Sequence, residues 1–146
     1  PTNIYGPGDN FQIENSGVIP GIISKIHNAR KNDSNKITLW GDGKATRDFL
    51  FVDDASDGII LAAEKYNDVS PINLGAEYEI SINDLAIMIS KIMKFSGEIV
   101  WDMTKGNGQP RRCVSNNKAE KEIGFKPKTS LNDGLEKMIT WFESNN

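Results

Sequence analysis

Trp40 and Arg47 stand seven residues apart in the run TLWGDGKATRDFLFVDD. An indole offers a flat face on which a nucleobase can stack, and a guanidinium offers a planar fork matched to phosphate. The turn between them, Gly41-Asp42-Gly43, would let backbone approach a ligand closely. Each residue also has an ordinary reading. Large aromatics that end a strand usually pack into a core, and Arg47 has Asp48 and Asp53 as nearby ion-pair partners. Arg111 and Arg112 follow Pro110 at the end of a glycine-bearing loop. Together they could grip a diphosphate, or form a solvated basic pair. Lys25 lies seven residues after Val18, on the same helical face, and adds a further cation. The opening Asn3-Ile4-Tyr5-Gly6-Pro7-Gly8 places an amide side chain beside two glycines. At the carboxyl edge of a sheet such a turn suits a cofactor amide or a sugar hydroxyl; elsewhere it is an Asx turn.

Composition removes several classes of function. A chain of 146 residues suits one domain with a modest core. Seventeen Lys+Arg against 20 Asp+Glu leave a net charge of −3. That balance draws in neither nucleic acid nor an anionic membrane, so neither is an expected partner. The lone cysteine, Cys113, excludes an internal disulfide and fits a reducing, cytoplasmic setting; its expected role is a small buried apolar residue. His27 is the only histidine, which excludes a site of several His ligands, and no metal is expected. It reads as a surface residue of its helix. No apolar run reaches membrane-spanning length, and no signal peptide is expected. Because the first residue is Pro, the sequence reads as part of a longer chain.

These side chains need elements to hold them. Pro1 to Ser16 reads as a loop that follows the end of a buried strand. Val18, Ile19, Ile22, Ile23 and Ile26 recur at helical spacing and predict a helix to about Lys31, with Pro20 in its first turn. Strands are expected over Ile37–Trp40 and Asp48–Val52. Asp53, Asp54 and Ser56 open a second helix whose apolar face is Ile59, Ile60, Ala63 and Tyr66. Pro71–Gly75 reads as a buried strand. Ser81 with Asp84 forms a capping box ahead of Leu85, Ile89, Ile92 and Met93. Glu98–Trp101 is a strand, Thr104–Pro110 a loop, and Ser115–Ile123 a short helix closed by Gly124. Ser130 with Asp133 forms a second capping box, before Leu135, Met138, Ile139 and Phe142. The alternation gives an α/β class.

Taken in order, PTNIYGPGDNF, ENSGVIPGII, WGDGKATRDFLFVDD, NLG, GEIVWD, KGNGQPRR and GFKPKTSLNDGL resemble the extended short-chain dehydrogenase/reductases that act on nucleotide sugars, within the NAD-dependent epimerase/dehydratase family. The resemblance spans nearly the whole chain and maps to the later half of that family. It implies that residues 1–146 are the C-terminal, mainly nucleotide-sugar-binding part of an extended Rossmann-type reductase, including its small substrate-binding domain. The N-terminal dinucleotide-binding half is expected to be missing. It implies NADP or NAD as cofactor, with Pro1, Thr2, Asn3 and Ile4 lining the nicotinamide end. It also implies a nucleotide-sugar substrate, a GDP-sugar favoured, held by Lys25, Trp40, Arg47, Asn107 and Arg112, with Trp40 beside the base. Members are often homodimers.

The branch that this sequence most resembles converts a GDP-4-keto-6-deoxy sugar by epimerisation and reduction. Three departures matter. Gly17 stands where that branch has a histidine that acts as an acid, and glycine has no proton to give. That leaves a 4-epimerase, a dehydratase or a 4-reductase without 3,5-epimerase activity as the alternative. Asn107 replaces a customary acidic residue. The Gly-rich dinucleotide loop and the Tyr-x-x-x-Lys pair do not occur, so no catalytic residue is expected within this chain. A non-catalytic binding module is the remaining alternative.

Overall fold

The computed structural model describes residues 1–106 and 108–146. In chain order the elements are β1 (Asn3–Tyr5), α1 (Val18–Lys31), β2 (Lys36–Trp40), β3 (Thr46–Phe51), α2 (Val52–Lys65), β4 (Glu79–Ser81), α3 (Ile82–Ile92), β5 (Glu98–Asp102), β6 (Arg111–Arg112), α4 (Asn117–Ile123) and α5 (Leu131–Ser144). The expected α/β class is what the chain adopts.

Strand β3 is the hub. It pairs in parallel with β1 and β6 and antiparallel with β4. A separate two-stranded sheet joins β2 and β5 in parallel, with Trp40 opposite Asp102. Alternation along β3 sends its side chains to opposite faces. Phe49 and Phe51, with Tyr5 of β1 and Ile80 of β4, enter the larger core, which is built with α1, α3 and α5. Leu50 points the other way, into a smaller core with Ala55, Leu74, Ala119, Ile123 and Phe125. Helices thus cover both faces, as a largely parallel sheet requires.

Both serines cap their helices: the backbone N–H of Asp84 donates to Ser81 Oγ at 3.0 Å, and that of Asp133 to Ser130 Oγ at 3.1 Å. Gly124 closes α4 in the left-handed conformation, φ 73°.

Four expectations need correction. Asn3–Tyr5 is a strand, because β3 gives this stretch a ladder partner that local turn signals do not reveal. Pro71–Gly75 is not a strand: it runs beside β1, where the N–H of Thr2 donates to the carbonyl of Leu74, but Pro71 has no donor and no ladder develops. Strands β4 and β6 were too short to show a period. The buried positions of α2 are Asp54, Ala55 and Gly58, whereas Ile59 and Ile60 are 52% and 55% exposed. Gly58 decides this orientation. A Cβ there would lie 2.8 Å from the Phe125 ring and 2.9 Å from Leu74, so the small-residue face of α2 is the one that fits against the smaller core.

Candidate functional site

Helix α1, the end of β2, the turn after it and the start of β3 converge on one cleft of about 240 Å³. Lys25, Trp40 and Arg47, from three separate elements, all line it, together with Ser16, Gly17 and the buried Ile22 and Leu39. The cleft is smaller than the usual pocket for a complete drug-sized ligand. It has room for one flat ring and its nearest groups.

Trp40 is 60% exposed. The core reading of this residue is therefore wrong, and β-strand alternation explains why. Leu39 and its register partner Trp101 face inward, so Trp40 faces out into the cleft. Two ammonium groups flank the indole, Lys25 Nζ at 5.6 Å and Lys105 Nζ at 5.9 Å from its centroid. Lys25 is fixed by donating to the carbonyl of Thr38 at 2.7 Å, and partial burial lowers its pKa below the ordinary lysine value. Lys105 is a residue that sequence reading missed; its loop carried no signal that it would turn back over Trp40. Gly43 meets a packing need beyond the one expected. It also lines the cleft, yet a Cβ on it would lie 2.5 Å from the Trp101 ring, and its φ is +72°. The turn needs glycine for Trp101 and for its own backbone, before any ligand arrives.

The two adjacent arginines do not act together. Arg111 pairs in register with Thr46, and Arg112 with Arg47, so they project to opposite faces of the ladder. On one face Arg111 makes a two-pronged ion pair with Glu79, Nε and Nη2 each donating at 2.8 Å. On the other, Arg112 stands beside Arg47, and its side chain makes no hydrogen bond or ion pair among the described residues. Arg47 Nη1 donates to the carbonyl of Thr46 at 2.6 Å, which leaves the rest of its fork available. Asn107 lies outside the described residues. His27 is half-buried, edge-on to Phe142, and does not line the cleft. Cys113 is likewise half-buried, with its thiol pushed up by burial, which keeps it a poor nucleophile.

Pro1 to Ile4 do not line the cleft. Asn3 pairs with Phe49, two residues along β3 from Arg47, a step of about 7 Å. Its side-chain amide donates to the carbonyl of Asp48 at 2.9 Å, which leaves the amide oxygen for another partner. Beneath this segment Asp48 is fully buried, and burial raises its carboxyl above the ordinary carboxylate range. Polar groups of Thr2, Val114 and Ala76 offset this only in part, and neither carboxylate oxygen completes a hydrogen bond among the described residues. Gly75 is packed against this carboxylate: a Cβ there would lie 2.6 Å from Asp48 Oδ2. Tyr5 donates to the carbonyl of Leu131, and burial raises its phenol far above the usual range, so it cannot shuttle protons at neutral pH. Among the described residues no group of three His, Cys, Asp or Glu could hold a metal, and no helix is long and apolar enough to cross a membrane.

An exposed indole and neighbouring cations thus line one cleft beside a largely parallel sheet covered by helices on both faces, an α/β arrangement. The chain belongs to the NAD dependent epimerase/dehydratase family, whose model matches residues 1–75. Among curated relatives it is 38% identical over 145 residues to "Probable GDP-L-fucose synthase 1" of Oryza sativa subsp. japonica, covering 99% of this chain and 44% of the relative. It is 41% identical to the "GDP-L-fucose synthase" of Sinorhizobium fredii, covering 99% of this chain and 46% of that protein. The crystal structure of a GDP-L-fucose synthetase from Naegleria fowleri superposes with a TM-score of 0.92 at 32% identity, over 99% of this chain and 45% of that one. The NADP-bound form of that synthetase gives 0.90 at 31% identity, over 98% and 45%. The chain therefore spans a little under half the length of these relatives.

Proposed function

We propose that this chain is the nucleotide-sugar-binding part of an NAD(P)-dependent epimerase/reductase of the GDP-L-fucose synthase type, acting on a GDP-4-keto-6-deoxy sugar. The observation that carries the reading is the meeting of Lys25, Trp40 and Arg47, from α1, β2 and β3, in one cleft. The base stacks on Trp40 between the two lysines. Arg47 and the neighbouring Arg112 take the phosphates, and Asn107 contributes from the adjoining loop. Pro1, Thr2, Asn3 and Ile4 then face the nicotinamide of NADP or NAD, with the open amide oxygen of Asn3 able to accept from a carboxamide. Hydride transfer belongs to that cofactor, while this chain binds and orients the sugar. Buried Tyr5 and distant His27 leave the proton-transfer groups to other residues.

A specific observation favours a second reading of the reaction. Gly17 lines the cleft with no proton to offer, and a Cβ on it would touch only the Pro20 ring, at 3.7 Å. In that reading the sugar is reduced or epimerised at C4, or dehydrated, without 3,5-epimerisation. A third reading, a binding module without activity, is kept because the chain supplies no catalytic pair. The homodimer and the cytoplasmic setting rest on the family resemblance and on the single cysteine.

The experiment incubates the protein carrying this chain with NADPH and GDP-4-keto-6-deoxymannose, and identifies the product by NMR. GDP-L-fucose supports the first reading, and a 4-reduced sugar with unchanged C3 and C5 supports the second. No turnover together with tight GDP binding supports the third. Failure to bind any GDP-sugar refutes all three.

A further inference from the structure

We infer that Glu79, Arg111 and Thr46 form a clamp that positions the phosphate-binding guanidiniums, acting through Arg112 from the opposite face of the sheet. The inference rests on the nucleotide-binding reading above and adds residues which that reading does not use. Strand β6 has only two residues, Arg111 and Arg112. A ladder so short gives few backbone bonds: β6 pairs with β3 through Thr46 and Arg47, with one further bond from the N–H of Thr46 to the carbonyl of Pro110. What fastens it is on the far face. Arg111 grips Glu79 of β4 with both prongs, and the same carboxylate accepts the Thr46 hydroxyl of β3. Three strands are tied by one carboxylate.

Strand alternation turns this fastening into a placement. With Arg111 fixed on the rear face, Arg112 must emerge on the front, beside Arg47, where its side chain has no ion pair among the described residues. One carboxylate behind the sheet therefore sets the spacing between two arginines in front of it. Hydrogen bonds from Arg111 and Thr46 hold Glu79 below the usual carboxylate range, so the clamp stays charged across physiological pH. An exposed ion pair of this kind contributes little to global stability, so the effect of breaking it should fall on the site it organises.

Charge alone and positioning predict opposite results for Glu79→Gln. Removing a negative charge near the phosphates should tighten GDP binding by simple electrostatics. Loosening the clamp should weaken it. The measurement is calorimetric titration of the protein carrying this chain with GDP and, separately, with guanosine. We expect Glu79→Gln to weaken GDP about fivefold to tenfold while guanosine changes less than twofold. Thr46→Val, which removes only the hydroxyl, should move GDP in the same direction by a smaller factor. The exchange of partners, Glu79→Arg with Arg111→Glu, should recover most of the GDP affinity. Equal or tighter GDP binding by Glu79→Gln overturns the clamp, as does a parallel loss of both ligands. A parent protein that binds neither GDP nor guanosine overturns the underlying reading instead.

Discussion

Replacing Trp40 with alanine separates ligand binding from folding. At 60% exposure about two-fifths of the residue is covered. For a tryptophan of roughly 200 Å², that is about 80 Å² of buried surface, or about 2 kcal/mol at most by area. Flexible lysine methylenes supply part of that cover, so the loss in melting temperature should stay below ~8 °C for a chain of this size. The binding side is larger in consequence. A base stacked on an aromatic side chain contributes roughly 1–3 kcal/mol, so Kd for GDP should rise about 5-fold to 140-fold. The assay is titration calorimetry with GDP, with a thermal melt on the same sample. A Kd within twofold of the parent, in a protein that still melts cooperatively, would refute the stacking argument. Trp101→Ala is the control: its ring fills the space above Gly43 and packs on the larger core, so it should cost ~3 kcal/mol or more in stability.

Other perturbations follow from the same geometry. Asp48→Asn should reveal the buried carboxyl. A carboxyl whose folded pKa is raised destabilises the fold as pH climbs from the unfolded value near ~3.9 through the folded one, so the melting advantage of the Asn variant should grow over that window and then level off; a constant difference from pH 4 to 8 contradicts this. Gly43→Ala should destabilise by at least ~2 kcal/mol in a denaturant titration, because φ of +72° and the Trp101 ring oppose the methyl together; a loss under ~0.5 kcal/mol would refute it. Gly17→His should fold normally, since the space over Pro20 is open, and NMR of the product should show epimerisation gained or increased; an unchanged product ratio counts against the missing-acid argument. Ile59→Ser with Ile60→Lys should make the 146-residue chain more monodisperse in light scattering, since both isoleucines are more than half exposed; unchanged association places the sticky surface elsewhere.

The legible parts of the sequence were those with a local physical cause. α1 could be read because its isoleucines repeat at helical spacing, and α3 and α5 because a serine three residues before an aspartate marks a helix start. The illegible parts depend on distant partners. β1 becomes a strand only through β3, and β6 only through Thr46 and Arg47. On α2 the isoleucines suggested an inward face, but Gly58 and the ring of Phe125 chose another, which no window of α2 alone encodes. In the cleft, Lys25, Trp40 and Arg47 were identifiable by type. The division of labour between Arg111 and Arg112 was not, because alternation only separates them once β6 is known to be a strand. Asp48 read as an ion-pair partner for Arg47, but the two point to opposite faces of β3.

The different settings of the three indoles have an optical consequence. Trp101 is half-buried against Gly43, Trp141 lies stacked on Phe11 at 6.0 Å, and only Trp40 looks into the cleft. On the proposed function, emission from Trp40 should carry the occupancy signal, quenched when a purine covers it, over a steadier background from the other two. The unlabelled protein would then be its own fluorimetric sensor, and excitation at the red edge, which selects the most solvated indole, would sharpen the reading.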